Sequence, residues 1–399
     1  MTGVRRPTRA VIVDLLCNTP YYCGPLAAAL AADGARTELA SPRFYPEPTY
    51  LDAYPRADWI ADLAVHVARP RPVRLVARAF EAGLNAANLV ARIAARRDDV
   101  VHVQWNPLEE RTAGAMRILR SRCDAAGTLL VHTAHNAVPH DRPGADRATI
   151  RSNLELAHLV IAQTAGVADE LRKGIGVRSP IEVIPHPALF VDRNLPGRAE
   201  ARTRLGVADG PVVAFVGLLR PYKGLDLLGE AWPTVADEVP GARLVVAGKR
   251  ADSRVEGDVD ALRHMPSVTI RDGYQSVAAM LDVYAAADLI VVPYRRISQS
   301  GALMTAAGLG RPLVVTPLAG LREQVASLES AIVAADVDGP SLAAALVDGL
   351  RDATRLGSAA LRDRTALIEG PAGWPAVARA TRAAWDASRA RWFVGGGPS

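Results

Sequence analysis

Short apolar runs rich in β-branched residues alternate with Ala-, Leu- and Arg-rich stretches along the whole chain. This alternation is typical of β-α units, in which helices cover both faces of a parallel sheet. In the first half, the apolar runs predict strands at Ala10–Leu16, Val100–Trp105, Thr128–Thr133, Leu159–Gln163 and Ile181–Ile184. In the second half, they predict strands at Val212–Gly217, Arg243–Ala247, Val268–Arg271, Leu289–Pro293 and Leu313–Thr316. Each half is therefore predicted to fold as a Rossmann-like α/β domain.

The chain length agrees with two domains, because 399 residues are too many for one ordinary hydrophobic core. The first domain is predicted over residues 1–192, and the second over residues 198–372, after the turn-rich linker Asn194–Gly197. Residues 373–392 predict a final helix, rich in Ala and Arg, with tryptophan side chains as apolar anchors. Two such domains joined by a linker predict a cleft between them, which is the expected ligand site.

Composition and charge narrow the class of partner. The formal net charge of +5 is mild for this length and suits an anionic small molecule or surface. Nucleic-acid binding is not expected, because the sequence has no recognition module and no basic patch interleaved with aromatic residues. The cysteines have neither CxxC spacing nor an even count, so we expect free thiols in a reducing cytoplasm; they are Cys17, Cys23 and Cys123.

The first apolar run lies close to the N-terminus but contains Asp14, so it predicts a strand rather than a signal peptide. No stretch approaches the ~20 apolar residues needed to cross a bilayer. The chain is therefore predicted to be cytoplasmic, and the sequence does not indicate its oligomeric state.

A second signal for location is the arginine-rich stretch from Arg69 to Arg97. From Arg74 onward it has helical periodicity, with apolar side chains at Leu75, Phe80, Leu84 and Leu89. A basic amphipathic helix of this kind binds anionic lipid, which predicts a peripheral contact with the inner face of the membrane. The alternative is an ordinary surface helix of the first domain.

The strongest local signal for chemistry is the loop after the strand Val212–Gly217. Gly217 lets a ligand approach the backbone, Arg220 offers a planar guanidinium that matches phosphate oxygens, and Lys223 adds a mobile charge. Two cations on one loop beyond a buried strand suit a diphosphate. The alternative is a solvated basic loop that ends at Gly224.

Later segments of the second half add candidate ligand contacts. Gly248 ends another strand, and Tyr274 follows a third. For Tyr274 the alternatives are a ligand contact and a surface turn built on Gly273. Ser300-Gly301 opens a helix whose first N–H groups, with the positive end of the helix dipole, predict an anion site.

The order of these segments resembles the C-terminal domain of GT-B glycosyltransferases of family four, often called group 1. The resemblance covers roughly Val212 to Val325 and rests on Gly217, Lys223-Gly224, Val246-Ala247-Gly248, Ala287-Asp288, Pro293, Gly310–Val315 and Gly320–Glu323. It implies a GT-B fold, with two Rossmann-like domains facing a central cleft and a last helix, residues 373–392, that crosses back to the first domain. It also implies transfer of a sugar, with retention, from a nucleotide diphosphosugar to a hydroxyl of a glycan, glycolipid or natural product. No cofactor and no obligatory metal are implied.

The resemblance also implies roles for individual residues. Those implied to be catalytic are His135, Arg220 and Lys223. Those implied to bind the donor are Gly217, Gly248, Tyr274, Gln299, Ser300, Gly301, Ala302, Thr305 and Glu323. Those implied to contact the acceptor or line the cleft are Asn18, Tyr21, Tyr22, Gly24, Trp105 and Asn136. For His135 the alternative is a loop histidine bonded to a carbonyl. For Glu323 the alternative is a carboxylate favoured only by a helix dipole in the first turn.

The chain departs from the family pattern where relatives carry two glutamates spaced by seven residues. Ile297 and Thr305 stand at those positions, and Leu218 stands where an arginine is usual, so Arg220 is its expected substitute. We expect the nucleotide ribose to be held by Gln299, or more weakly through the Thr305 hydroxyl. Two alternatives stay open: a nucleotide-sugar epimerase of GT-B architecture, and a non-catalytic partner that binds a sugar nucleotide.

Overall fold

The computed structural model describes residues 6–67, 71–105, 113–139 and 144–394. Contacts within the chain define two compact units. The first contains the residues up to Pro185 together with those from Trp374 onward, and the second runs from His186 to Gly373.

The first unit is a parallel sheet covered by helices. Its strands are β1 (Arg9–Val13), β2 (Arg36–Ala40), β3 (Val100–Val103), β4 (Leu129–Ala134), β5 (Leu159–Ala162) and β6 (Ile181–Val183). They lie in the order β2-β1-β3-β4-β5-β6. Its helices before residue 186 are α1 (Pro20–Ala32), α2 (Arg71–Ala94), α3 (Gly114–Ala126), α4 (Arg147–Leu154) and α5 (Ala165–Asp169).

The second unit has the same construction. Its helices are α6 (Arg198–Leu205), α7 (Leu225–Glu238), α8 (Glu256–Arg263), α9 (Val277–Ala286), α10 (Gly301–Gly308), α11 (Ala319–Val325), α12 (Gly339–Arg351) and α13 (Ala353–Glu369). Its strands are β7 (Val212–Val216), β8 (Arg243–Gly248), β9 (Val268–Asp272), β10 (Leu289–Val292), β11 (Leu313–Val315) and β12 (Ala331–Val333). They form a six-stranded parallel sheet in the order β12-β11-β10-β7-β8-β9.

The predicted pair of Rossmann-like α/β domains is confirmed, and every predicted strand is present with small differences at its ends. The sequence prediction missed β2 and β12, which are the outer strands at one edge of each sheet. β2 has exposed and half-buried polar residues between buried ones, and β12 is only three residues long and half-buried. Neither therefore has the continuous apolar run by which a fully buried strand is recognised.

The last helix of the chain, α14 (Trp374–Arg389), belongs to the first unit and packs on α1. Trp385 of α14 is fully buried in the same core cluster as Leu26 and Leu30 of α1. Its ring meets the His102 ring edge to face, with the centroids 5.7 Å apart. The three cysteines are buried free thiols of this unit.

The second unit begins at His186 rather than after residue 192, because the intervening residues pack against α10 and α13. A Cβ at Gly308 would lie 3.0 Å from Ala188, and Arg364 of α13 donates to the Val191 carbonyl at 2.8 Å. Among the residues that the structure describes, no helix has both the length and the apolar character needed to cross a membrane.

Three histidines are buried in the first unit. The Nε2 of His102 lies 2.7 Å from the Thr133 hydroxyl, and His132 lies on the neighbouring strand β4. His158 accepts from the Leu130 amide through Nδ1 and donates to Asp124 through Nε2, both at 2.8 Å. Burial lowers the pKa of His102 to about 3 and the pKa values of His132 and His158 to about 4. All three are therefore neutral in the folded protein near pH 7.

We expect the free energy of unfolding to fall as the pH is lowered from 7 towards 4. In this range an unfolded histidine, with a pKa of about 6.5, binds a proton, whereas the buried histidines stay neutral. The free energy of unfolding therefore falls by about 1.4 kcal/mol per pH unit for each buried histidine. Denaturant unfolding at pH 7 and pH 5 measures the slope. The slope is expected to decrease in His102→Gln and to stay unchanged in His264→Gln, since His264 is exposed. Equal slopes in both variants and the wild type contradict this account.

Candidate functional site

The second sheet reverses its strand order between β7 and β10, which pair directly. Ligands of open α/β sheets bind beyond the carboxyl ends of the strands at such a point. The loop after β7 contains Gly217, Arg220 and Lys223, and the loop after β10 leads to Ser300. The topology therefore brings the two predicted phosphate-binding segments to the same edge of one sheet.

Glycines let the loops at this edge touch backbone to backbone. A Cβ at Gly224 would overlap the Pro293 carbonyl oxygen, and a Cβ at Gly248 would overlap the Gly217 carbonyl oxygen. Gly224 also has a φ of +71°, in the left-handed region that side chains disfavour. The Arg295 amide donates to the Tyr222 carbonyl at 2.9 Å, which joins the loop after β7 to the loop after β10.

Lys223 is held between aromatic rings at this edge. Its Nζ lies 3.8 Å from the centroid of the Tyr294 ring and 5.3 Å from that of Tyr222. Burial, together with the positive charge of the nearby Arg220, lowers the pKa of Lys223 to about 8. In the described part of the chain no carboxylate forms an ion pair with Lys223. The ammonium is therefore desolvated, and an anion that arrives beside it would stabilise its charged form.

The N-terminus of α10 is capped from two sides. The Ser300 hydroxyl accepts from the Leu303 amide at 3.2 Å, and the Ser300 amide donates to Gln324 Oε1 at 2.7 Å. Gln324 therefore occupies the Ser300 N–H in this structure, and the donor-binding role of Ser300 stays a prediction. Gly301 and Ala302 follow in the first turn, where backbone N–H groups have no acceptor within the helix. They are the remaining N–H groups of this segment that suit an anion.

The sequence did not predict Gln324 as a site residue, because no pattern in the sequence links this position of α11 to Ser300. The same helix corrects the prediction for Glu323. α11 begins at Ala319, so Glu323 lies in its second turn and not in the first, and its side chain is exposed. The helix dipole therefore does not favour this carboxylate.

The other predicted donor contacts differ in exposure. Thr305 is buried, and its hydroxyl donates to the Gly301 carbonyl at 2.8 Å, so towards a ribose it offers only its lone pairs. Gln299 is buried directly before Ser300. Tyr274 is exposed after β9, next to Asp272, which pairs with Arg250 at 2.5 Å. Ile297 lies half-buried in the loop after β10.

His186 is a site residue that the sequence did not indicate. A Cβ at Gly301 would lie 3.6 Å from His186 Nε2, so the imidazole lies against the N-terminus of α10. Its Nδ1 donates to the Pro187 carbonyl at 2.8 Å, which leaves Nε2 as an acceptor. Burial lowers the pKa of His186 to about 4, so the ring is neutral near pH 7. No metal-ligand spacing or motif marks this histidine in the sequence.

In the first unit, the strand order reverses between β1 and β3. Asp14 follows β1 and accepts from the amides of Asn18 at 3.0 Å and Thr19 at 2.8 Å. Burial raises the pKa of Asp14, and these hydrogen bonds oppose the rise. Asp14 therefore shapes the loop that presents the predicted cleft residue Asn18, a role that the sequence did not reveal.

Tyr22, Trp105 and His135 come together at the same edge of the first sheet. The rings of Tyr22 and His135 meet edge to face at 5.3 Å, and the Trp105 ring lies 6.4 Å from that of His135. Gln163, which was not predicted, lies 3.0 Å from His135 Nδ1 and also hydrogen-bonds to the Tyr22 hydroxyl. His135 Nδ1 is thus paired with the side-chain amide oxygen of Gln163, and a role of His135 in catalysis stays a prediction.

The remaining predicted residues of this unit lie on α1 or after β4. Tyr21 contacts the rings of Phe44 and Tyr50, and its hydroxyl donates to Glu47 at 3.1 Å. Gly24 lies against the Tyr54 ring, where a Cβ would overlap it. Asn136 is half-buried beside His135. The sequence also predicts that residues 106–111 form one of the loops that determine acceptor specificity, and these residues lie outside the described part of the chain.

Two family models match the chain over these units. The model described as glycosyl transferases group 1 matches residues 210–352, and that of the glycosyl transferase 4-like domain matches residues 20–187. The chain belongs to the group 1 glycosyltransferases. The two matches together cover most of both sheets, so the family resemblance seen in the second half extends to the first half of this glycosyltransferase.

Curated relatives match the group 1 glycosyltransferase over part of its length. A D-inositol 3-phosphate glycosyltransferase of Geodermatophilus obscurus is 30% identical over 245 residues, which is 54% of this chain and 53% of that protein. A GDP-mannose:glycolipid 4-beta-D-mannosyltransferase of Xanthomonas campestris pv. campestris is 27% identical over 55% of this chain and 61% of its own. The chain thus spans about half the length of the curated relatives that it matches.

Solved structures show the fold over nearly the whole chain. Sucrose-phosphate synthase from Thermosynechococcus elongatus aligns with a TM-score of 0.67 and 19% identity over 96% of this chain and 99% of that one. Anabaena HepE, solved in complex with UDP, aligns with a TM-score of 0.67 and 16% identity over 96% of this chain and 100% of that one. The predicted GT-B fold class is thereby confirmed.

Proposed function

We propose that this group 1 glycosyltransferase moves a sugar, with retention of anomeric configuration, from a nucleotide diphosphosugar to a hydroxyl of a glycan, glycolipid or natural product. The observation that carries the proposal is the half-buried Lys223 ammonium, held beside the Tyr294 ring at the carboxyl ends of the neighbouring strands β7 and β10. The names of the relatives support the substrate classes, since they include an inositol phosphate glycosyltransferase and a mannosyltransferase that uses GDP-mannose. We propose a cytoplasmic location, with no cofactor and no obligatory metal.

The proposed chemistry explains why cations and N–H groups are needed. The bond between the sugar C1 and the diphosphate oxygen breaks towards an oxocarbenium-like state, while negative charge grows on the departing diphosphate. Arg220, Lys223 and the N–H groups of Gly301 and Ala302 are proposed to bind that growing charge, where fixed donors contribute most. The acceptor oxygen then bonds to C1 on the face that the diphosphate leaves, and its proton passes to a diphosphate oxygen.

Other residues are proposed to orient the two substrates. The Tyr22, Trp105 and His135 cluster is proposed to contact the transferred sugar, with Gln163 fixing the imidazole through Nδ1. Gln299 is proposed to contact the nucleotide ribose in place of the glutamate that relatives carry. The Thr305 hydroxyl already donates within α10, so its contribution is at most that of an acceptor.

Thermal unfolding with UDP-, GDP- and dTDP-sugars tests donor binding. One nucleotide class is expected to stabilise the protein, by about 2.7 kcal/mol at a ligand concentration of 100 times the Kd. NMR of the product formed with that donor and an acceptor pool then gives the anomeric configuration, which is expected to match the donor. Conversion of the donor to its epimer without acceptor contradicts the proposal. Tight binding with no transfer to any acceptor contradicts it as well.

A further inference from the structure

The outward face of α2 is apolar from Val73 to Ala94. Every exposed position of this helix whose side chain the structure describes is an apolar residue or glycine. Large side chains dominate the N-terminal half, where Val76 is 71% exposed and Phe80 is 67% exposed. The α2 stripe is defined as the exposed residues Val73, Val76, Phe80 and Leu84.

Buried polar side chains fix this orientation of α2. Glu81 accepts from the Ala64 amide at 2.8 Å, and Asn85 exchanges two hydrogen bonds with the backbone of Ala61, at 2.8 and 3.1 Å. Turning the helix to bury Phe80 would break these hydrogen bonds and leave buried polar groups without partners, which destabilises a fold. The expectation that Leu89 shares the amphipathic face is wrong, because Leu89 is 1% exposed in the core on the side of α2 opposite the stripe.

Positive charge borders the α2 stripe. The helix has four arginines and one acidic residue, the buried Glu81. The Arg74 guanidinium lies 4.3 Å from the centroid of the exposed Tyr45 ring and donates to its hydroxyl at 3.1 Å. Arg78 donates to the Leu16 carbonyl. Within the described ion pairs, neither arginine meets a carboxylate, so both charges remain uncompensated beside the apolar surface.

We propose that the α2 stripe docks this protein on an anionic lipid bilayer. An interfacial helix buries Val, Leu and Phe side chains below the headgroups, while flanking arginines attract anionic lipid. A second copy fits this surface poorly, because stripe-to-stripe pairing would bring two sets of arginines together with no exposed acid on α2 to offset them. Lipid docking through α2 is separate from the proposed sugar transfer, because no residue of the α2 stripe is among those proposed to bind a substrate.

Co-sedimentation of the full chain with vesicles tests the proposal. We expect binding to vesicles of phosphatidylcholine with phosphatidylglycerol, and weak binding to phosphatidylcholine alone. The double variant Val76→Ser/Phe80→Ser is expected to lower the partition coefficient at least roughly tenfold. Arg74→Gln/Arg78→Gln is expected to lower the preference for phosphatidylglycerol and its sensitivity to salt. The control is Leu361→Ser on α13, which removes a leucine that is 59% exposed from the second unit and is expected to bind like the wild type.

Thermal unfolding checks that the variants fold, which is expected because the replaced side chains of the stripe are exposed. The proposal is overturned if the wild type does not bind phosphatidylglycerol vesicles, or if Val76→Ser/Phe80→Ser and Leu361→Ser bind them equally well. Sedimentation velocity adds a separate test. A wild-type dimer that Val76→Ser/Phe80→Ser dissociates would overturn lipid docking and assign the stripe to a second copy.

Discussion

Replacing Lys223 by alanine is expected to lower turnover at least tenfold, and by as much as about a thousandfold, while the protein stays folded. Removing one fixed donor to a developing negative charge typically costs ~2.7–4 kcal/mol of barrier. The Lys223 ammonium is held beside the Tyr294 ring, at 3.8 Å from its centroid. The loss should therefore appear mainly in kcat, measured with the donor that the thermal screen identifies.

The fold should tolerate this change. Burial holds the pKa of Lys223 near 8, below the ordinary value of about 10.5, so the charged side chain costs stability below that pH instead of supplying it. What alanine removes is the contact with the Tyr294 ring, worth roughly 0.5–2 kcal/mol. We expect a melting temperature within a few degrees of the wild type.

The pH dependence of donor binding tests whether the charge of Lys223, and not only the shape of its side chain, contributes to donor affinity. Since free Lys223 loses its proton as the pH rises through about 8, the donor affinity of the wild type should fall across that range. Lys223→Arg keeps its charge and should not show this fall. Lys173→Ala is the matched control, because Lys173 is an exposed lysine paired with Asp169 at 2.8 Å. Turnover of Lys223→Ala equal to that of Lys173→Ala would remove Lys223 from the mechanism.

The sequence predicts structure well where one local property decides the outcome. Buried central strands such as β4 and β7 are continuous apolar runs, so their position follows from hydrophobicity alone. β2 and β12 were not predicted, because an outer strand is identified by its pairing with a neighbouring strand from elsewhere in the chain. The orientation of α2 is a stronger case. Its periodicity predicts an amphipathic helix, but only the hydrogen bonds of Glu81 and Asn85 determine that the apolar side faces outward.

The candidate site likewise contains some residues that the sequence predicts and others that it does not. Lys223 and Ser300 are recognisable from the sequence because both follow a predicted strand, Lys223 in a loop and Ser300 at the start of a helix. His186, Gln163 and Gln324 act through residues that are distant in sequence, at Gly301, His135 and Ser300 respectively. No spacing rule links such pairs in a single sequence, so they become visible only once the sheet topology has placed them together.

The second large effect is expected for Gly224→Ala, which should destabilise the second unit and weaken donor binding at least about tenfold. A Cβ at Gly224 would overlap the Pro293 carbonyl oxygen, and its φ of +71° adds roughly 1–2 kcal/mol of strain for alanine. The two loops must separate, which moves Lys223 away from the Tyr294 ring. A loss of about 3 kcal/mol would lower the melting temperature by roughly 6–12 °C.

Gly229→Ala provides a control within the same helix. Gly229 lies in α7, five residues after Gly224, and a Cβ there would meet nothing within 4 Å. Alanine in an unobstructed helix interior is worth about 0.5–1 kcal/mol over glycine, so this variant should melt slightly above the wild type and bind donor normally. The melting temperatures of the two variants, measured by thermal unfolding with and without donor, should shift in opposite directions. That result would show that the close contact of the two loops causes the effect of Gly224→Ala. If Gly224→Ala instead melts and binds like Gly229→Ala, the contact with Pro293 does not hold the anion site together.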